Sequence, residues 1–182
     1  ARGGAKVLIV EKSNCLGGAA VNCLVNPFMP YWTEMDGKRV DLSAGIFKEI
    51  HDRLEHHNAM SKESFLEEEL KYILNEMVAE ASIDLLFHAY IFKVEKCDEH
   101  IASIVVATKS GEMHVEANYF IDATGDGELF YLAGCDYQLG RESDSLCQPM
   151  TTCFRMSGVD LDLFTEERPR LQELYKEKQA KG

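Results

Sequence analysis

The stretch Ala5-Lys6-Val7-Leu8-Ile9-Val10 limits the fold more than any other, because it is a near-continuous apolar run with β-branched residues that closes on Glu11-Lys12. A strand with one face in water would alternate apolar and polar residues. An unbroken run suits a strand buried on both faces of a parallel sheet. Parallel strands need long crossover connections, so helices are expected downstream. Ala1-Arg2-Gly3-Gly4 reads as the last turn of a helix with its glycine cap, which carries the expectation that the chain is a fragment with residues upstream.

The periods that follow fit a mixed α/β chain. Ser13–Thr33 is rich in Gly, Asn and Pro and has no period, so it reads as a long loop with one helical turn near Gly18. Leu42, Ile46, Ile50 and Leu54 predict a helix over 42–59, with Asp41 or Ser43 as N-cap. A second helix is predicted from Ser61 or Ser64 to Ala81, with Glu67-Glu68-Glu69 in its early turns where the helix dipole favours negative charge. Beyond it Asp84–His88, Tyr90–Lys96, Ile101–Thr108 and Met113–Val115 read as strands of an antiparallel meander, divided by polar turns. Asn118–Ala123 reads as another buried strand, and Thr124-Gly125-Asp126-Gly127 as a turn into a short helix over Glu128–Ala133. Thr151–Ser157 is the clearest strand of the remainder, and a charged helix from Asp160 to Lys181 is expected to break at Pro169.

In an open α/β sheet, ligands sit beyond the carboxyl ends of the parallel strands. Two loops hold such places, one after Val10 and one after Ala123. Glu11 stands where a carboxylate can accept hydrogen bonds from a ribose hydroxyl, although a Glu-Lys pair also suits a solvated strand end. Gly17-Gly18 offers free amides to an anion or is only a flexible turn. Thr124-Gly125-Asp126-Gly127 lets the backbone approach a ligand, but Phe130 stands where a full fingerprint has its third glycine.

Other chemistry finds little support. The charge sum of 19 basic and 31 acidic residues, −12, disfavours nucleic acid and anionic membrane surfaces as partners. No apolar run approaches the roughly 20 residues of a membrane span. The six cysteines form no CxxC pair, so no iron–sulfur or zinc site is expected from them, and a reducing cytoplasm is the expected location. His51, His56 and His57 are spaced five and six apart, which does not stack two imidazoles, and no metal ligand is assigned. GxSxG, GxxxxGK[ST] and HExxH are absent. Pro27–Trp32 could cover a flat ring or, the favoured reading, anchor its loop, while Cys147 and Cys153 read as packing residues in preference to a redox pair.

Taken together, Val7–Lys12, Leu16-Gly17-Gly18 and Phe120–Gly127 strongly resemble the FAD-dependent oxidoreductases of the glutathione-reductase-like superfamily. More narrowly, with Val25–Pro30, Leu139–Glu142 and Gln148–Thr151, the chain looks like the bacterial members related to the flavin subunit of heterodisulfide reductase. The resemblance implies an α/β fold: an incomplete Rossmann-like FAD-binding domain over 1–135 that includes an antiparallel meander, and the start of a substrate domain over 136–182. FAD is the implied cofactor. Glu11 would hold its adenosine ribose with Lys12 alongside, Gly17 and Gly18 would line the nucleotide, the backbone near Ile91 would touch adenine, and Ala123-Thr124-Gly125 with Asp126 would lie by the ADP half. Arg141, Gln148 and Met150 would point toward the substrate domain. The glycine fingerprint of the first strand and the final glycine–aspartate turn lie outside this sequence, so the piece by itself is expected to be inactive. The function expected is that of an oxidoreductase of unknown substrate, its partner a small molecule or an electron-transfer protein and its assembly state open to a homo-oligomer. The alternative is a non-catalytic FAD- or nucleotide-binding subunit of a larger electron-transfer assembly.

Overall fold

In the computed structural model, which describes residues 1–181, the apolar run enters a strand at β1 (Leu8–Glu11). Its parallel partner is β6 (Asp84–Phe87), in the register Leu8↔Asp84 through Glu11↔Phe87. This corrects the placing of Asp84–His88 in the antiparallel meander. Parallel pairing of strands so far apart requires the intervening helices, and these form the crossover. Ala1–Gly4 is a single turn closed by the Gly4 N–H on the Ala1 carbonyl at 2.8 Å.

Within the long loop, α1 (Gly18–Asn22) supplies the expected helical turn, and an unforeseen hairpin follows, β2 (Trp32–Met35) with β3 (Lys38–Asp41). The first long helix, α2 (Ile46–His56), is shorter than predicted and starts after Gly45, so neither Asp41 nor Ser43 caps it. Met60–Ser61 (β4) and Ser64–Phe65 (β5) then make a two-rung hairpin, which delays α3 (Glu67–Glu80) past both serines suggested for its start. Val21, Leu54, Phe65, Leu70, Ile73 and Met77 from these elements form one buried cluster. Burying a leucine or isoleucine fully, as at Leu54 and Ile73, contributes about 1.5–3 kcal/mol each.

The meander is a three-stranded antiparallel sheet of β7 (Tyr90–Cys97), β8 (His100–Thr108) and β9 (Gly111–Glu116). Its buried Ile104 and Val106 pack with Leu129 of α4 (Glu128–Leu132), and Val10, Leu86, Ile91 and Phe120 complete this second cluster. Asn118–Ala123 is not a strand among the described residues. It joins no ladder, and Tyr119 and Ile121 are 89% and 87% exposed, so apolar content here marks an extended segment without a partner.

By its contacts the chain divides into Ala1–Thr151 and Thr152–Gly182. The predicted strand Thr151–Ser157, which begins at the last residue of the first unit, is absent, its residues exposed and unladdered. The helix α5 (Leu161–Ala180) is capped by Asp160, which accepts from the Asp162 and Leu163 amides at 3.1 and 3.0 Å. It passes through Pro169 without a break, correcting the expected interruption. Proline's fixed φ is helical, so the cost there is one lost backbone donor and local crowding.

An exposed ion network ties α2 to α3. Glu49 accepts from Arg2 at 2.6 and 2.9 Å and from Arg53 at 2.8 Å, while Arg53 also holds Glu80. The Arg2 hydrogen bond, joined by Arg53, lowers the Glu49 carboxyl to about 2. A lowered carboxyl contributes stability above its usual 4.5, and that contribution fades as pH falls toward about 2. Glu49→Gln should therefore reduce the denaturant midpoint at about pH 6 and narrow the gap to wild type at about pH 3. Equal deficits at both pH values would refute the role given to this carboxylate.

Candidate functional site

Two loops converge on the second cluster through the residues that flank them. Val10 enters it from β1, Phe120 and Leu129 enter it from either side of the glycine turn, and Ile91 enters it from β7. The carbonyl of Glu11 accepts from the Ala89 amide at 3.1 Å, and the carbonyl of Ser13 accepts from the His88 amide at 3.0 Å, so the chain leaving β1 is fastened to the one entering β7. Lys12 makes the corresponding link to the turn. Its Nζ lies 3.2 Å from Glu128 Oε1 and 3.8 Å from Asp126 Oδ2, and the Glu128 hydrogen bond holds the ammonium above its ordinary value.

Glu11 is half-buried and partly committed. Its Oε1 accepts the Ser13 amide at 2.7 Å, and no bond reaches the other oxygen among the described residues. The carboxylate is therefore held in one orientation with acceptor capacity to spare. Gly125 has φ +83°, and a Cβ there would meet nothing within 4 Å, so the backbone faces open space in a conformation that side-chain-bearing residues resist. A spare acceptor and an open left-handed glycine fit a ribose hydroxyl and a nucleotide phosphate.

The turn itself is built by a residue that sequence reasoning left out of the site. Asp122 Oδ1 accepts from the Thr124 amide at 2.9 Å and the Thr124 hydroxyl at 2.7 Å, and its Oδ2 accepts from the Phe130 amide at 3.1 Å. The Thr124 hydroxyl in turn accepts from the Glu128 amide at 3.0 Å. Burial opposes ionisation of Asp122, but these bonds outweigh it and hold the carboxyl below its ordinary value. An Asp two residues before Thr in a glycine turn was the available signal. Ala123, Gly125 and Asp126 are exposed on this scaffold, and Thr124 is half-buried as its strut.

Gly17 and Gly18 belong to different surroundings. Gly17, at φ +110°, packs where a Cβ would run into the Val21 side chain, so its conformation is set by α1 and the first cluster, while Gly18 faces open space. The aromatic loop is anchored within the protein, with Phe28 stacked on Phe65 at 4.3 Å and edge-on to Phe47 at 5.2 Å. The six cysteines are free thiols, and Cys147 and Cys153 are exposed, not packed.

A family model described as FAD dependent oxidoreductase matches residues 1–181. The chain belongs to that family. FAD is accordingly its cofactor, and Glu11 and the open Gly125 turn have the chemistry to receive the nucleotide end of one. No curated protein and no solved structure matches the chain. No helix among the described residues is long and apolar enough to cross a membrane.

Proposed function

We propose that this chain supplies the adenosine side of the FAD site in an oxidoreductase, with Glu11 accepting the ribose hydroxyls and the Thr124-Gly125-Asp126 turn approaching the phosphates. The observation that carries this reading is the Lys12 bridge, which draws the end of β1 and the glycine turn together from distant parts of the sequence. When bound, FAD exchanges hydride or single electrons with a substrate. The protein's share is to orient the nucleotide: Ser13 fixes the Glu11 carboxylate, Asp122 fixes the turn, and the Ile91 backbone and the Gly17-Gly18 loop would complete the walls. The acidic Glu11 also disfavours a 2′-phosphate, since like charges repel.

We read the molecule, further, as a part of a Rossmann-like flavoprotein akin to the flavin subunit of heterodisulfide reductase, with 1–135 in the FAD domain, 136–182 opening a substrate domain, and a reducing, cytoplasmic setting. The uncovered Tyr119 and Ile121 support the first point, because an extended apolar segment gains most when another strand pairs with it. The free thiols support the last.

The full-length gene product should carry flavin absorbance as purified or gain it on reconstitution. Glu11→Ala should weaken its FAD binding by about 1–3 kcal/mol, the worth of a hydrogen bond to a charged acceptor. A protein that never takes up flavin sinks the reading, and an unchanged affinity in the variant sinks the role of Glu11.

A further inference from the structure

A second cluster of chemistry-bearing side chains lies on α2, away from the glycine turn. His51 Nδ1 stands 3.7 Å from Glu55 Oε2 and 4.0 Å from Asp52 Oδ1, and the three donor atoms lie within 4.8 Å of one another. His56 and His57 bring their rings to 5.9 Å of each other, but His51 meets neither. The structure instead pairs one imidazole with two carboxylates, one of them a turn further on.

The imidazole differs from an ordinary surface histidine. Its side chain is 11% exposed, and its Nε2 lies 2.8 Å from the hydroxyl of the buried Tyr31. With Nε2 engaged by that hydroxyl, Nδ1 is the nitrogen turned toward the carboxylates. When Nε2–H donates to that hydroxyl, this outer hydrogen bond selects the tautomer whose Nδ1 lone pair is free to ligate. Donor atoms around one zinc-sized ion stand about 3–3.6 Å apart at metal–ligand distances near 2.1 Å. Asp52 and Glu55 are 52% and 60% exposed, so their side chains have room to rotate toward that spacing. Two carboxylates match a dication in charge once Lys48 leaves Asp52. Two cations compete: Lys48 Nζ holds Asp52 at 2.6 and 2.7 Å and would have to be displaced, and the Arg39 guanidinium, 5.4 Å from the Tyr31 ring, faces the same groove. His51 and Glu55 line a surface groove with Tyr31, Arg39 and Met60, while Asp52 lines a neighbouring one with Lys48, so solvent reaches the donors from both sides.

We propose that His51, Asp52 and Glu55 form a binding site for a divalent transition-metal ion of the zinc class, completed by solvent and oriented by Tyr31. Mixed imidazole and carboxylate donors favour such an ion over magnesium or calcium, which prefer oxygen alone.

The test is titration of the chelator-treated, reduced full chain with zinc chloride, followed by calorimetry and by metal analysis after dialysis. One zinc per chain should bind saturably. His51→Ala and Glu55→Gln should each weaken binding by at least about tenfold, Tyr31→Phe should do so in the range of about 10- to 100-fold expected of an outer partner, and Lys48→Ala should tighten it. Alkylating the cysteines beforehand should leave the stoichiometry unchanged. Absence of saturable binding, binding that survives both His51→Ala and Glu55→Gln, or binding lost on alkylation would overturn the proposal. Should His51→Ala fold poorly, the exposed Glu55→Gln tests the site by itself: weakened binding supports it and unchanged binding refutes it.

Discussion

Alanine in place of Asp122 should lower stability by about 2–3 kcal/mol, because a half-buried carboxylate would vanish from the Thr124 amide, the Thr124 hydroxyl and the Phe130 amide at once. Asp122→Asn should cost less. Its remaining oxygen still accepts from Thr124, but its amide nitrogen would face the Phe130 N–H donor to donor. The pH dependence carries a sign. Since folding lowers the Asp122 carboxyl below its usual 3.8, its contribution is complete above that value and disappears as acid protonates the folded carboxylate. Urea unfolding of the three proteins at neutral and acid pH reads all of this. A loss under about 0.5 kcal/mol for the alanine variant would mean that the turn holds itself without Asp122. In the flavin-loaded protein, FAD affinity should fall along with stability, because the turn that Asp122 shapes carries Gly125.

Ile73→Ala should cost about 2–5 kcal/mol, the range for truncating a fully buried aliphatic side chain. Ile73 is 0% exposed in the cluster shared with Leu54 and Leu70, where helix meets helix and collapse around a void is restricted. Thermal unfolding measures the loss, and a drop below about 1 kcal/mol would show that the helical cluster repacks freely. Asp122 borders the other cluster, so the double variant should show the two losses added to within about 0.5 kcal/mol. A large departure from additivity would show that the two sites interact energetically in the folded protein.

Local pattern predicted the parts of this fold that local forces build. The antiparallel strands from Tyr90 to Glu116 are rich in β-branched residues and are joined by short polar turns, and α3 carries a clear apolar stripe, so both were legible. The hairpin Trp32–Asp41 was not, although Asp36-Gly37 is a strong turn pair, because β3 is exposed along its length and shows no apolar alternation. Asn118–Ala123 failed in the opposite way. Its residues favour extended backbone, but a strand also needs a neighbour, which composition cannot supply. At the site, Glu11 and the glycine turn could be picked out as types of residue at types of place. That Lys12 reaches Glu128, and that Asp122 holds the turn from within, depends on where two distant segments come to rest.

The ion pair between Lys12 and Glu128 joins residues 116 apart in sequence, and β1 pairs with a strand that starts at Asp84. The helical cluster and the meander draw on neighbouring residues and can form early, whereas both of these closures must await most of the chain. The nucleotide binding proposed at Glu11 is therefore acquired at the end of folding, not along the way. A pulse-labelled chain would gain affinity for FAD only after Glu128 has left the ribosome, so the cofactor would discriminate chains long enough to close this contact from shorter ones.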